Sequence, residues 1–395
     1  MNGASMAARA AIAFRTLPRL APSPPCRRRL HLAPPFLVDD DHVPRYQTLS
    51  AREEARKRSL AYAHLRKCNL CPRLCGVNRY ERTGVCLVGE KAKVNVVAPH
   101  FGEEPCIQGH NGSGAVFMSG CNLRCVFCQN FDIAHQRNGM DLTPEELGEW
   151  YVKLQEVGQV HNINIVTPEH VVPQVALSIL HAKQLGLRLP IVYNTSSFDS
   201  LASLELMDGL VDVYLADFKV WEASTARRLL KADDYASVAR KSIKAMHAQV
   251  GDLCFSADGL ARRGLLIRHL VMPGKEMEGV EIMKWLASDI SPDCFVNIME
   301  QYRPDAHVGK TRKRTSSNTK ASSTKVSGLK GEQQEEPKET KKREATRQDE
   351  ATSEIRYADL NRPVTGHEVS VVRQAAEKSG LWRFNDPPRH DGFAI

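Results

Sequence analysis

The central part of the chain alternates short apolar runs with longer amphipathic segments. The apolar runs are rich in β-branched residues and end at polar or turn-forming residues, which is typical of strands buried on both faces. The longer segments repeat their apolar residues at the spacing of a helix. This alternation predicts parallel strands joined by helices. We predict strands at residues 115–119, 163–167, 190–194, 211–216, 265–271 and 295–299.

Helices are predicted between these strands by the same periodicity and by their end signals. Thr143 is placed as an N-cap, with Pro144 at the first helical position and Glu146 three residues on, which is the pattern of a capping box. The predicted helices cover residues 52–65, 143–157, 172–185, 201–207, 279–288 and 368–378, with a pair across 223–250. Six strand–helix units are too few to close an eight-stranded barrel. The predicted fold class is therefore α/β, as an open, partial (β/α)6 barrel.

Two segments depart from this pattern. Residues 1–38 contain six arginines and no acidic residue, the composition of a mitochondrial transit peptide; the alternative is a disordered extension of a cytoplasmic protein. Residues 309–353 are rich in Ser, Thr, Lys and Glu and nearly free of apolar residues, which predicts a disordered insertion. The predicted organisation is a leader or disordered segment (1–45), a cysteine-rich N-terminal extension (46–112), the partial barrel (113–308), the insertion (309–353) and a C-terminal helical segment that completes the domain (354–395).

The positive charge of the chain is confined to these two segments. The formal net charge is +8, and residues 309–350 carry twelve Lys or Arg against seven Asp or Glu. With the six arginines of the leader, the two segments hold more than the whole net charge, so the rest is slightly acidic. A phosphate-tracking groove is not indicated, and no apolar run has the length of a bilayer span. We expect neither nucleic acid nor a membrane as a partner.

Eleven cysteines are present, and seven of them fall into two tight clusters. Spacings of two and three residues between cysteines indicate metal ligation rather than a disulfide framework. The first cluster could hold a structural zinc ion or a second iron–sulfur cluster, or bind no metal; its irregular spacing leans toward iron–sulfur. Its four members are Cys68, Cys71, Cys75 and Cys86.

The second cluster places Cys121, Cys125 and Cys128 directly after a predicted strand. In βα folds, the loops after the carboxyl ends of strands form the active face. Three thiolates can hold three irons of a cubane cluster, whereas thiolate ligation normally takes four, so one iron stays open for a substrate. The alternatives are a zinc knuckle or three buried thiols; structural zinc prefers four protein ligands, and three buried thiols would not need this spacing at the end of a strand.

This spacing, with the aromatic Phe127 before the last cysteine, resembles the motif of the radical S-adenosylmethionine (SAM) superfamily. Residues 66–305 and 355–383 resemble a poorly characterised subgroup of pyruvate formate-lyase activating enzyme homologues. Besides the cysteine loop, the resemblance rests on CNLCPRLCGVNR (68–79), GEEPC (102–106), HNINIVTP (161–168), VYLADFK (213–219), NIMEQY (297–302) and NRPVT (361–365).

The resemblance implies a radical SAM enzyme, an oxidoreductase similar to the glycyl-radical-activating enzymes. Its cofactors would be a 4Fe-4S cluster and SAM. An electron from a flavodoxin- or ferredoxin-type donor would reach the cluster, and SAM would be cleaved to methionine and a 5′-deoxyadenosyl radical that abstracts hydrogen from a substrate. The sequence does not identify that substrate, which is a glycine of a partner protein or a different molecule. The competing hypothesis is a non-catalytic assembly factor that binds iron–sulfur or zinc.

The same resemblance implies further SAM contacts. Asp217 and Lys219 match an Asp-x-Lys element, and Arg268 matches an Arg-x-x-Val-x-Pro-Gly stretch whose arginine reaches the SAM carboxylate. Activating enzymes carry a Gly-Gly-Glu-Pro turn after the second strand, but here the place reads Thr-Pro-Glu-His, which leaves Thr167 as a candidate. Two acidic residues and a cysteine shortly before the cysteine loop have roles that the sequence leaves open; they are Glu103, Glu104 and Cys106.

Overall fold

The computed structural model describes residues 33–39, 42–313 and 353–385. Its helices are α1 Ala51–Arg66, α2 Pro105–Gln108, α3 Phe131–Ala134, α4 Pro144–Glu156, α5 Val172–Gln184, α6 Leu201–Met207, α7 Ala223–Leu230, α8 Tyr235–Val250, α9 Glu276–Trp285 and α10 Gly366–Lys378. Every helix predicted from the sequence is present, with ends within a few residues of the prediction. The predicted capping box at Thr143 is confirmed: its side chain accepts from the backbone N–H of Glu146, whose carboxylate accepts from the N–H of Thr143. None of the described helices has the length and hydropathy needed to cross a bilayer.

The strands are β1 Ala92–His100, β2 Ser113–Met118, β3 Met140–Leu142, β4 Ile163–Val166, β5 Ile191–Thr195, β6 Val213–Asp217, β7 Cys254–Phe255, β8 Ala261–Leu270, β9 Phe295–Met299, β10 Thr311–Lys313, β11 Ser353–Ile355 and β12 Arg383–Phe384. Six of them, β2, β4, β5, β6, β8 and β9, are the predicted ones. They pair in parallel and in chain order. Helices connect them, so the predicted α/β fold class with an open parallel sheet is confirmed.

The sheet is wider than the sequence predicts. Strands β1 and β3 extend one edge through antiparallel pairing, and β12 pairs in parallel with β9 at the other edge. In strand β1 only Ala92 and Val94 are buried and the other positions are half-buried or exposed, and β12 is two residues long. Neither has the continuous hydrophobicity that reveals a central strand.

The parallel register aligns the carboxyl ends of the strands. Asp217 of β6 is paired with Arg268 of β8, which is paired with Asn297 of β9. Two residues before Asp217 along the strands, Phe117 of β2 is aligned with Val166 of β4, which is level with Leu215 of β6. Side chains that follow β2, β4, β5, β6 and β8 therefore meet at one edge of the sheet.

The packed structure begins before residue 45, where the predicted leader segment ends. The backbone of Val38 donates to Phe255 and that of Phe255 donates to Phe36. The buried ring of Phe36 lies 3.7 Å from the guanidinium carbon of Arg383. Because these residues are held by the barrel, this end of the predicted 1–45 segment is part of the fold. Residues 1–32, on which the predicted transit signal falls, lie outside the described residues.

The two ends of the predicted insertion lie next to each other. Strand β10 pairs antiparallel with β11, so residues 311 and 355 are neighbours. The stretch between them, 314–352, lies outside the described residues. After it, α10 packs against α9 and returns the chain to the barrel.

Candidate cluster and cofactor site

The cysteine loop leaves the sheet through Gly120, which has a φ of +83°. A Cβ built on this glycine would lie 3.0 Å from the carbonyl oxygen of Cys86 and 3.3 Å from His170 Nε2. A larger residue would be strained by its φ and would also press on the backbone of the N-terminal extension. On the preceding residue, the carbonyl oxygen of Ser119 lies 2.9 Å from His170 Nε2. This turn positions Cys121 directly beyond the end of β2.

Backbone hydrogen bonds hold the rest of the loop. The N–H groups of Arg124 and Val126 donate to the carbonyls of Leu230 and Leu229, at 3.1 and 2.9 Å. The carbonyl of Val126 in turn accepts from the N–H of His307 at 2.9 Å. The loop is thereby tied to the end of α7 and to the segment that follows β9. Its geometry depends on the barrel and not only on its own sequence.

The three predicted ligands lie close enough to affect one another's ionisation. Burial raises the pKa of Cys125 to about 12 and raises the pKa of Cys121 and Cys128, with a further increase at Cys121 from the other two thiols. The ammonium group of Lys219 acts in the opposite direction on the pKa of Cys125 and Cys128. The thiols are therefore protonated at neutral pH without a metal, and iron binding releases protons.

The donor set fits a 4Fe-4S cluster. In the described part of the chain, no three His, Cys, Asp or Glu side chains are arranged to hold one metal ion. A cubane cluster makes a different demand, because each thiolate binds a separate iron corner. The backbone N–H of Leu123 donates to Cys121 Sγ at 3.3 Å, which is the kind of hydrogen bond that tunes a cluster's potential.

An ion-paired group lies at the ends of β6 and β8. Asp217 accepts from Lys219 Nζ through Oδ2 at 2.6 Å and from Arg268 Nε through Oδ1 at 2.7 Å. Burial opposes ionisation of Asp217, but the two neighbouring cations hold its pKa below its usual value. The structure thus brings the three predicted charged residues together, and both cations are already paired with protein.

Arg268 also faces two carboxylates from the loop before β2. Its Nη1 lies 3.6 Å from Glu103 Oε2 and 3.9 Å from Glu104 Oε1, and its Nη2 donates to Asn194 Oδ1 at 2.7 Å. Asn297 Nδ2 donates to Glu104 Oε1 at 2.8 Å. Burial raises the pKa of Glu103 to about 7 despite the nearby guanidinium. The sequence reasoning missed both asparagines, although each is a polar residue inside a predicted apolar strand.

The altered turn after β4 keeps a conformation that favours glycine. Thr167 has a φ of +60° and donates its N–H to Asn194 O at 2.8 Å. A β-branched residue with this φ is rare and costs free energy. The absence of glycine from the Thr-Pro-Glu-His sequence therefore does not prevent the turn from forming.

Behind the turn lies a buried carboxylate pair that the sequence reasoning did not single out. Glu169 Oε1 accepts from the hydroxyls of Thr195 and Ser196, at 3.0 and 2.6 Å. The Thr195 hydroxyl also lies 2.6 Å from Asp199 Oδ2. Burial and the neighbouring Glu169 raise the pKa of Asp199 to about 8. One serine–threonine-rich turn thus joins two carboxylates.

The two remaining candidates, Phe127 and Cys106, lie in different parts of the fold. Phe127 is buried, and its ring centroid lies 6.3 Å from that of Tyr302. Cys106 lies in α2 and packs against the smaller apolar cluster under the sheet, and its burial raises its pKa. Phe127 thus belongs to the cluster loop, whereas Cys106 packs away from it against apolar side chains.

The first cysteine cluster surrounds a buried arginine. Arg79 Nη2 lies 3.2 Å from Cys68 Sγ and 3.6 Å from Cys86 Sγ. Burial, together with smaller effects of the Cys68 and Cys86 thiols, raises the pKa of Cys71 to about 12. Cys75 lies across the same loop, with its Sγ 2.8 Å from a Cβ built on Gly84. The four cysteines therefore share one compact region of the extension.

Comparison with known proteins gives one family and several distant likenesses. An uncharacterised protein of Methanocaldococcus jannaschii is 29% identical over 253 residues, which cover 61% of this chain and 67% of that protein. Among solved structures, TYW1 with a lysine–pyruvate adduct bound is 9% identical over 42% of this chain and 60% of its own, with a TM-score of 0.29. SuiB of Streptococcus suis is 10% identical over 47% and 39%, with a TM-score of 0.32. Methylornithine synthase (PylB) is 13% identical over 64% and 61%, with a TM-score of 0.31.

This chain spans less than two thirds of each of these solved structures, and TM-scores near 0.3 do not establish a shared architecture. The family match is more direct. The model described as the radical SAM superfamily matches residues 115–286, a range that includes the cysteine loop and the charged ends of β6 and β8. Residues 115–286 are therefore a radical SAM domain.

Proposed function

We propose that this chain is a radical SAM enzyme in which Cys121, Cys125 and Cys128 hold a 4Fe-4S cluster. The observation that carries the proposal is that three thiols share one loop at the carboxyl edge of the parallel sheet, beside the charged pair of Asp217 and Arg268. Three protein ligands leave one iron of a cubane open to SAM. When bound and reduced, this cofactor pair supplies a 5′-deoxyadenosyl radical that takes a hydrogen atom from the substrate.

The protein's own contribution is to hold the cofactors and balance their charges. Lys219 places a positive charge beside the thiolates of Cys125 and Cys128. Asp217 orients that ammonium group and the guanidinium of Arg268 at the same time. A SAM carboxylate that binds Arg268 would compete with Glu103 and Glu104, whose contacts at 3.6 and 3.9 Å are longer than good hydrogen bonds.

The backbone around the turn after β4 is proposed to receive the SAM amino group. Thr167 keeps the left-handed conformation there, so the carbonyls of the turn can face the cluster as they would after a glycine. Phe127 lies between two cluster ligands and is proposed to shield them from water. Both roles rest on position rather than on a contact with bound SAM.

The reaction type is proposed to resemble that of glycyl-radical-activating enzymes, with a flavodoxin- or ferredoxin-type protein as the electron donor. A second metal group at the four cysteines of the extension, iron–sulfur or zinc, would complete the cofactor set. The proposed location is mitochondrial, because residues 1–38 have the composition of a transit peptide. The substrate, a protein or a small molecule, is not specified by any group in the site.

The experiment is anaerobic reconstitution with iron and sulfide, followed by dithionite and SAM. The enzyme releases 5′-deoxyadenosine and methionine, and Cys125→Ala abolishes both the release and the absorbance of that cluster. The control is Cys254→Ser, because among the described residues the hydrogen-bond acceptors of Cys254 Sγ are the backbone carbonyls of Asp252 and Pro35; it should leave the release unchanged. An intact cluster that cleaves no SAM would instead support the assembly-factor hypothesis, for which the altered turn at Thr167 is the motivating observation.

A further inference from the structure

Arg79 is a buried cation that forms no ion pair with a carboxylate among the described residues. Only 3% of its surface is exposed, and within the described residues its side-chain hydrogen-bond acceptors are the sulfurs of Cys68 and Cys86. Its Nε and Nη1 are buried and have no hydrogen-bond partner in the same part of the chain. Burying a guanidinium costs several kcal/mol unless negative charge lies close by, so a negatively charged group held by these cysteines would offset the cost of burying Arg79.

Thiols at such a buried position are ionised when they bind a metal. Four thiolates around a divalent ion, or around an oxidised 4Fe-4S cluster, leave a net charge of about −2. The cysteines lie on turns rather than on a regular element: the N–H of Gly76 donates to the carbonyl of Cys68 at 2.7 Å, and that of Leu74 donates to Cys71 at 3.0 Å. Cys71 lies close enough to Arg79 to raise its pKa, together with Cys68 and Cys86, and Cys75 lies on the same turn-rich segment.

The four-cysteine site adjoins the loop of the radical SAM domain. Arg73 Nε donates to the carbonyl of Asn122 at 2.9 Å, and the Cys71 thiol interacts with the side chain of Asn122. The carbonyl of Cys86 lies against Gly120. Gly120 and Asn122 are the two neighbours of Cys121 in the chain, so the extension that carries the four cysteines contacts the cysteine loop on both sides of Cys121.

We propose that Cys68, Cys71, Cys75 and Cys86 hold a second 4Fe-4S cluster that passes electrons to the one at Cys121. This inference rests on the proposed radical SAM function. A flavodoxin- or ferredoxin-type donor would give one electron to the cluster held by the four cysteines, and that electron would pass to the cluster held at Cys121. Each transfer would move one electron and break no protein bond. Arg79 is a positioning residue that stabilises the reduced, more negative state.

Zinc at the same thiolates is the competing occupant and an outcome of the test. Four thiolates on zinc would give Arg79 the same negative charge, but zinc is not redox-active, and in the described part of the chain no three cysteine thiols are arranged around one ion. The contact of Cys71 with the cluster loop and the irregular ligand spacing favour the redox-active group.

The test measures metals and spectra separately from catalysis. Full-length protein and the variants Cys75→Ser, Arg79→Gln, Arg79→Lys and Cys125→Ala are purified and reconstituted without oxygen. Wild type is expected to hold about eight irons, and Cys75→Ser and Cys125→Ala about four each, since each cluster contains four. Electron paramagnetic resonance of the reduced Cys125→Ala variant should show one signal that SAM does not perturb.

Arg79→Gln should lower the reduction potential of the cluster at the four cysteines, because a positive charge beside that cluster is removed. Arg79→Lys keeps the charge and should restore most of the shift in potential. One zinc with four irons in wild type, or full iron content in a soluble Cys75→Ser variant, would overturn the proposal. Eight irons without SAM cleavage would instead overturn the proposed function and leave the second cluster in place. If Cys75→Ser does not fold, the two Arg79 variants still decide, since an unshifted potential in both contradicts the inference.

Discussion

Arg268 donates its Nε hydrogen to Asp217 Oδ1 across 2.7 Å, and the two residues are directly paired on neighbouring parallel strands. The other oxygen of Asp217 accepts from Lys219. One carboxylate therefore fixes two cations at the mouth of the sheet. Both cations are held in place by Asp217 before SAM binds. Their side chains therefore lose less conformational entropy when SAM binds.

Replacing Asp217 with Asn should therefore destabilise the fold and weaken SAM binding. Lys219 and Arg268 would face each other without the charge between them, and breaking a buried pair costs about 3 kcal/mol or more. Urea unfolding and equilibrium binding of SAM measure the two effects. The control is Asp233→Asn, because Asp233 forms an exposed pair with Arg227, and it should change neither quantity.

An unchanged SAM affinity in the Asp217→Asn variant would show that the two cations do not depend on Asp217 for their placement. A stability loss without an affinity change would restrict the residue to a structural role.

Gly120→Ala should displace the cysteine loop. The left-handed φ alone costs about 1 kcal/mol for alanine, and the added Cβ would meet the carbonyl of Cys86 at 3.0 Å. Gly186→Ala is the matched control, because Gly186 also has a positive φ of +95° but nothing within 4 Å of its Cβ position. Both variants should lose stability, and only Gly120→Ala should also lose iron on reconstitution. Equal iron content in the two would contradict the role of the contact.

Periodicity and ligand spacing predicted the parallel strands, the helices and the cysteine loop, because those features are local in sequence. The edge strand β1 was not predicted, because most of its side chains are half-buried or exposed and do not form the apolar run of a buried strand. The partners of Arg268 were not predicted either. Glu103 reaches it from a loop far away in sequence, and only the register of β6 against β8 places Asp217 beside it.

The role of Arg79 was likewise invisible in the sequence. Arginines beside cysteines are common on surfaces, and the pattern of residues 68–86 does not reveal which side chain is enclosed. Only its burial and its two sulfur contacts distinguish it.

The buried pair of Asp199 and Glu169 should make stability fall as pH rises from about 4 to 8. The pKa of Asp199 is raised to about 8, from an ordinary value of 3.8. Between these values the folded state keeps a proton that the unfolded state has released, so folding stability decreases with pH, by at most about 1.4 kcal/mol per pH unit for one proton. Urea unfolding at several pH values measures the slope.

Asp199→Asn should flatten that dependence, because the amide does not titrate. Asp258→Asn serves as control: the pKa of Asp258 lies below its usual value, so its stabilising contribution is fully present above about pH 4, is lost only at lower pH, and does not change in this window. A slope that persists in Asp199→Asn would assign the proton to another group.

Glu368 links the C-terminal segment to the barrel across the predicted insertion. Its carboxylate accepts from the N–H of Gly274 at 2.7 Å and from Arg362 Nη2 at 2.6 Å, while it also completes a capping box with Thr365. These bonds hold the pKa of Glu368 well below its usual value. Its contribution is therefore present above about pH 4.5 and is lost as pH falls.

Glu368→Gln should cost about 2 kcal/mol, since charge-assisted bonds to Gly274 and Arg362 and part of a helix cap weaken together. The loss of unfolding free energy should be measured by urea unfolding at pH 7. It should be smaller at pH 3, because the Glu368 carboxylate of the wild type stabilises the fold less at that pH. Glu377→Gln is the control, because Glu377 pairs on the helix surface with Arg373 four residues before it. If both variants behave alike, α10 is held by apolar packing against α9 and the anchor at Gly274 contributes nothing measurable.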